Sequence, residues 1–119
     1  MAKLNEIIQW CNQTLKSHEF KDYAPNGLQI EGKQEVNKIL CAVTASQDAI
    51  DAAIEQGADL LLVHHGYFWK GEPYPITGMR GKRIKSLIQH DISLVGYHLP
   101  LDSHPSLGNN AALAEILGL

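Results

Sequence analysis

The chain has 119 residues, 45% of them hydrophobic and 19% charged, with a formal net charge of −3. This composition suits one globular domain with its own core and excludes a disordered chain. The acidic balance argues against broad binding to nucleic acid or to an anionic membrane, and no apolar run approaches the ~20 residues of a membrane span.

The first residues, Met1 to Glu6, lack the pattern of a secretory signal. Leu4, Ile7, Ile8, Cys11 and Leu15 share one face of a predicted helix over residues 4–15. The stretch Asp22-Tyr23-Ala24-Pro25-Asn26-Gly27 is dense in turn formers, and Leu28 to Glu31 alternates as a short strand. Ile39 to Thr44 is a near-continuous apolar run that reads as a second strand. Ser46 is placed to cap a helix that turns Ala49, Ile50, Ala53 and Ile54 inward and stops at Gly57. Asp59-Leu60-Leu61-Leu62-Val63 reads as a buried strand, ending in His64-His65-Gly66. A long loop from Gly66 to Gly78 carries Tyr67, Phe68, Trp69 and Tyr74. Ile84, Leu87 and Ile88 mark a helix, Ile92 to Leu99 a further strand, and Asn109 or Asn110 is placed to cap a last helix through Leu113, Ile116 and Leu117. Cys11 and Cys41 lie in apolar segments and read as buried thiols of a reducing compartment, with cytoplasm the expected location.

From residue 39 the order is strand, helix, strand, helix, strand, helix. Apolar strands alternating with amphipathic helices predict parallel βαβ units with right-handed crossovers. The fold class is therefore α/β, an open, mostly parallel sheet flanked by helices. Ligands of such sheets bind beyond the carboxyl ends of the strands. Three segments meet at that edge: Thr44-Ala45-Ser46, His64-His65-Gly66 and His98 to Asp102.

In a regular strand adjacent side chains point to opposite faces, so one ion would not readily take both His64 and His65. Where the backbone turns at Gly66, both can reach the same edge. An isolated His-His pair is more often a hydrogen-bonded pair at a strand terminus. Asp102, just past the third strand, shifts that balance. A carboxylate beside two imidazoles suits Zn, Fe, Mn, Co or Ni better than Mg or Ca. Capping is the plainer role for an Asp after Pro-Leu. His98 reads as a packed strand residue or an orienting partner of the ligands. His104 reads as an exposed loop residue, and His18 and His90 as helix-end residues without chemistry. The four loop aromatics can stack on a planar ligand, but rings pinned to the core or at a subunit interface are the favoured reading. Arg80, Lys82, Arg83 and Lys85 at a helix start would welcome an anion, yet a solvated basic face is the commoner outcome.

The segments Asp22 to Gln29, His64-His65-Gly66 and His98-Leu99-Pro100-Leu101-Asp102 with Gly108-Asn109-Asn110 resemble the GTP cyclohydrolase 1 type 2 homologue family, the NIF-three-like, YbgI-type proteins. The resemblance covers essentially the whole chain and implies a site for two divalent metal ions in the full-length protein. It places His64, His65 and Asp102 as first-half metal ligands, with the rest of the set from a His-x-x-x-Glu motif in a second half. No such motif occurs in this sequence, so residues 1–119 are expected to be a single α/β domain corresponding to the first half of such a protein. The resemblance also implies ring-like homo-oligomers. The expected function is that of a metal-binding domain of a di-metal hydrolase acting on a nucleotide or related small molecule. The alternative is a non-catalytic metal-binding assembly or interaction module. The 119 residues alone are expected to bind metal weakly, to lack turnover and to self-associate through the Tyr67–Tyr74 loop.

Overall fold

The computed structural model describes residues 2–119. Its elements are β1 (Ala2–Lys3), α1 (Leu4–Leu15), a 3-10 turn (Ser17–Glu19), β2 (Gly27–Ile30), β3 (Glu35–Val36), β4 (Ile39–Thr44), α2 (Gln47–Glu55), β5 (Leu60–His65), α3 (Gly78–Gln89), β6 (Ser93–Gly96), α4 (Leu99–Asp102) and α5 (Asn109–Leu117). The main sheet has the order β2-β6-β5-β4, and β1 pairs with β3 in a small separate ribbon. β4, β5 and β6 are parallel, while β2 joins β6 antiparallel at the edge. The α/β class expected from the apolar alternation is the one observed.

The central strands β5 and β6 are covered on both sides, and β5 alternates between the two cores. Leu61 and Val63 face a core built with Ile50, Ala53, Ile84 and Leu87 of α2 and α3. Leu60 and Leu62 face the opposite core, where α1 contributes Leu4, Ile7, Cys11 and Leu15 against Val95 and Tyr97. Ser46 caps α2 as its hydroxyl accepts the Ala49 N–H at 3.2 Å. Gly57 follows α2 with φ 69°, the left-handed conformation that glycine accepts without a steric penalty. Among the described residues no helix is long and apolar enough to cross a membrane.

Three expectations need correction. The third parallel strand stops at Gly96, not Leu99; the chain turns at Tyr97–His98 and starts the short helix α4. Asp102 therefore projects from a helical turn. The residue at the α5 N-cap is Gly108, with no capping side chain, because Asn109 and Asn110 are engaged elsewhere. Cys41 is exposed and Cys11 only half-buried, because α1 does not reach over the outer face of edge strand β4. Of the loop aromatics, Tyr67 is buried, whereas Tyr74 is 97% exposed.

Candidate metal centre

The three parallel strands end side by side, and their carboxyl ends carry the site. β5 runs through both histidines, with Thr44 of β4 paired to His65. Although successive residues alternate in direction, the His64 and His65 rings converge past the sheet edge, with centroids 4.5 Å apart. His98 comes from the turn after β6, its ring 5.2 Å from that of His64 and 5.7 Å from that of His65. One ligand-capable nitrogen from each of the three lies within 4.8 Å of the other two.

The other nitrogen of each ring is engaged. His64 Nδ1 lies 2.8 Å from the Tyr97 carbonyl oxygen. A carbonyl only accepts, so Nδ1 carries the proton and Nε2 keeps its lone pair. His98 Nδ1 lies 2.8 Å from the Asp22 carboxylate, which fixes the same tautomer. His65 Nδ1 lies 3.3 Å from the Thr44 hydroxyl. Metal-ligating histidines usually have their second nitrogen held by a carboxylate, a carbonyl or a water. On that criterion the donor set fits a divalent ion.

Asp102 joins through His64, its Oδ1 3.4 Å from His64 Nε2. Asn109 Nδ2 donates to the same Oδ1 at 2.8 Å, and Asn110 Nδ2 donates to the Asp102 backbone carbonyl. The two asparagines hold the carboxylate at the rim, with 29% of its side chain exposed. Trp69 closes another side. Its ring stands edge-on to His98 at 5.0 Å and lies 6.0 Å from His65, while its indole N–H donates to the Gly66 carbonyl at 3.2 Å.

The Asp22-to-Gln29 stretch is the scaffold of this edge. A register shift between Leu28 and Ile30 leaves Gln29 out of the β2–β6 pairing. Its side chain accepts the Tyr67 N–H at 2.8 Å and donates to the Pro25 carbonyl. A Cβ on Gly66 would run into that amide, so a larger residue after the two histidines would push Gln29 off its bonds to Tyr67 and Pro25. Tyr67 in turn donates its hydroxyl to the Ala45 carbonyl at 2.6 Å, tying the loop after β5 to the loop after β4.

The Duf34/NIF3 (NGG1p interacting factor 3) family profile matches residues 2–119. The chain belongs to the Duf34/NIF3 family. It is 58% identical over 118 residues to the GTP cyclohydrolase 1 type 2 homolog of Neisseria meningitidis serogroup B, covering 99% of this chain and 47% of that protein. The homolog from Escherichia coli K12 is 56% identical over 117 residues, with 98% and 47% covered. The solved structure of the protein ybgI, described as of unknown function, matches with a TM-score of 0.96 at 57% identity, covering 98% of this chain and 47% of that one. This Duf34/NIF3 chain thus spans about half the length of the curated relatives it matches.

Electrostatics sharpen the arrangement in this family member. Burial, then the neighbouring His64 and His98, push the His65 pKa below its ordinary 6.5, with Asp102 opposing. His65 is therefore a neutral donor near neutral pH. Burial pushes the Asp22 carboxyl up, but hydrogen bonds from His98, the Leu99 N–H, Asn26 and the Tyr23 N–H outweigh it and hold the pKa down at about 2.

Of the residues singled out in the sequence, His64, His65 and Asp102 are brought together at one edge. His98 stands within the histidine cluster itself. His104 lies apart and uses its Nδ1 to accept the Ser106 and Leu107 N–H groups. Arg80 packs over Phe68 and pairs with Glu72 at 3.0 Å, away from the cluster. The sequence reading missed Asp22, Gln29, Asn109 and Trp69 as site residues. For Asp22, Gln29 and Asn109 the signal was present, since all three lie in the segments that carried the family resemblance.

Proposed function

We propose that this chain supplies one half of a divalent-metal site in a metal-dependent hydrolase acting on a nucleotide or related small molecule. The carrying observation is the set of three imidazoles with their Nδ1 atoms engaged, their ligand nitrogens within 4.8 Å and a carboxylate beside them. His64, His65 and Asp102 are the ligands in this reading, with His98 beside them. Neutral imidazoles with one carboxylate suit Zn, Fe, Mn, Co or Ni. Two such ions would supply Lewis acidity for hydrolysis at neutral pH. The protein's own contribution is to fix the tautomer and aim of the imidazoles, through the Tyr97 carbonyl, Thr44 and Asp22, and to keep Asp102 at the rim through Asn109. The names of the relatives point to a cyclohydrolase step on a purine nucleotide; nothing in the cluster selects GTP over another substrate.

Metal analysis of a family-length protein carrying these residues tests the site. His64→Ala and Asp102→Ala should each lower bound metal at least ~10-fold with the circular dichroism spectrum unchanged. Full metal content in both variants would refute the site. Turnover of a nucleotide panel with and without metal then separates a hydrolase from a metal-binding assembly module. The exposed Tyr74, Ile76 and Met79 favour the second reading as a contact surface, consistent with a homo-oligomer. Light scattering over a concentration series checks it: loss of association in Tyr74→Ser supports that surface, and a strictly monomeric wild-type chain refutes it.

A further inference from the structure

We infer that Asp22 is a positioning residue that locks the tautomer of His98 and turns its Nε2 toward His64 and His65. The side chain of Asp22 is 2% exposed, although it lies in a turn at the protein's edge. Four donors converge on its two oxygens. The Tyr23 N–H and His98 Nδ1 reach Oδ1 at 2.6 and 2.8 Å, and the Leu99 N–H and Asn26 Nδ2 reach Oδ2 at 2.9 and 3.1 Å. A turn cap alone would need the backbone donors. The bond to the ring of a residue 76 positions away goes beyond capping.

The division of labour with Asn26 supports this assignment. Asn26 Oδ1 accepts the His98 backbone N–H at 2.8 Å and does not touch the ring. Asn26 fixes where the turn sits, and Asp22 fixes which nitrogen of the ring carries the proton. A free histidine prefers the Nε2–H form, in which Nε2 is a donor and cannot face a cation. With Nδ1–H given to a carboxylate, Nε2 is the lone-pair atom, and the imidazole becomes more basic. An amide at position 22 would replace one of the two acceptor oxygens with a donor, setting donor against donor.

The test reads tautomers on the metal-free 119-residue chain by long-range proton–nitrogen NMR, above the imidazole pKa range. Wild-type His98 is expected as the Nδ1–H form, and an Nε2–H form there overturns the inference without any variant. In Asp22→Asn the Nε2–H form should appear. In Asn26→Ala, which loosens the same turn, His98 should keep the Nδ1–H form. An equal shift in both variants would reduce Asp22 to a structural cap and overturn the inference. The second readout rests on the proposed metal site: Zn²⁺ titration of a family-length protein should show ~10–100-fold weaker binding in Asp22→Asn than in wild type. Wild type that binds no Zn²⁺ would sink the metal site while leaving the tautomer result standing. Undiminished Zn²⁺ affinity in Asp22→Asn would overturn the positioning role.

Discussion

The two ends of β5 solve opposite problems with the same kind of residue. At its start, Asp59 is 6% exposed, and its carboxylate receives Lys33 Nζ at 2.8 Å, the Asn37 N–H at 2.8 Å and the Lys38 N–H at 3.1 Å. The two backbone donors hold the β3–β4 turn against the sheet, and Lys33 reaches in from the segment before β3. At its end, His64 and His65 each have Nδ1 held by a partner, His64 Nε2 lies 3.4 Å from Asp102 Oδ1 and 3.5 Å from Asn109 Nδ2, and among the described residues no Lys or Arg bonds to that cluster. A buried polar group that is satisfied within its own element's neighbourhood is architecture. At the other end the ring nitrogens converge on one another within 4.8 Å, and that convergence separates the structural end from the end that carries the candidate site.

The largest effect that would sharpen this contrast is Asp59→Ala. It leaves the part-buried Asn37 and Lys38 N–H groups without their acceptor, which costs about 2–3 kcal/mol. Urea unfolding of the 119-residue chain should show that loss as a lower midpoint with an unchanged slope. Metal content of a family-length protein carrying the change should stay at the wild-type level. A drop in metal content matching that of His64→Ala would mean the two ends are coupled and the contrast is false.

Tyr67→Phe comes next, because it attacks the site end without touching a histidine. The hydroxyl donates to the Ala45 carbonyl inside the protein. Its removal leaves that carbonyl unpaired and should lower stability by about 1–1.5 kcal/mol. Because the bond ties the loop after β5 to the loop after β4, hydrogen exchange should quicken at Ala45 and Tyr67 and not at Asn37 or Lys38. Uniform quickening at both ends would count against treating them as separate units.

How much of this was legible in the sequence follows the same division. The strand that ends in two histidines was readable because Leu60 to Val63 is an unbroken apolar run. The loop edge where ligands gather followed from strand–helix alternation alone. The end of β6 was not readable, because Ile92 to Leu99 stays apolar well past Gly96. What stops the strand is non-local: Asn26 takes the His98 N–H and Asp22 the Leu99 N–H, both from more than 70 residues away. The exposure of Cys41 was hidden for a similar reason. An apolar edge strand has the same pattern as a central one, and only the placement of α1 over β5 and β6 distinguishes them. Asn109 carried a capping signal that the structure overrides, since Asp102 claims its side chain at 2.8 Å.

Acid unfolding offers a way to weigh the closed end by itself. The hydrogen bond from Lys33 is the main cause holding the Asp59 pKa below its ordinary 3.8; burial opposes it, and the Asn37 and Lys38 N–H groups add to the depression. A carboxylate whose folded pKa lies below its unfolded value adds stability that is fully present above the unfolded pKa. That stability is lost as pH falls through the folded one. The chain should therefore lose stability on going below about pH 4. Asp59→Asn, which has no charge to lose, should show a flatter acid limb in pH-dependent urea midpoints. An identical limb in the two proteins would mean that Asp59 is not held as described.

Lys33→Met is the smallest and most discriminating change. Lys33 is 53% exposed, so its pair with Asp59 is open to solvent on one side even though the carboxylate is buried. Exposed partners of this kind contribute little at neutral pH, and less as salt is raised. Asp59 keeps its two backbone donors in the variant, so the turn should stay in place. Because Lys33 contributes most to the lowered Asp59 pKa, its loss should raise that pKa. With the folded pKa moved toward the unfolded one, the acid limb should be shallower than in wild type and level off at higher pH. If Lys33→Met instead costs as much as Asp59→Ala, the closed end depends on the ion pair, not on the backbone bonds. The contrast with the open end would then be one of charge and not of satisfied donors.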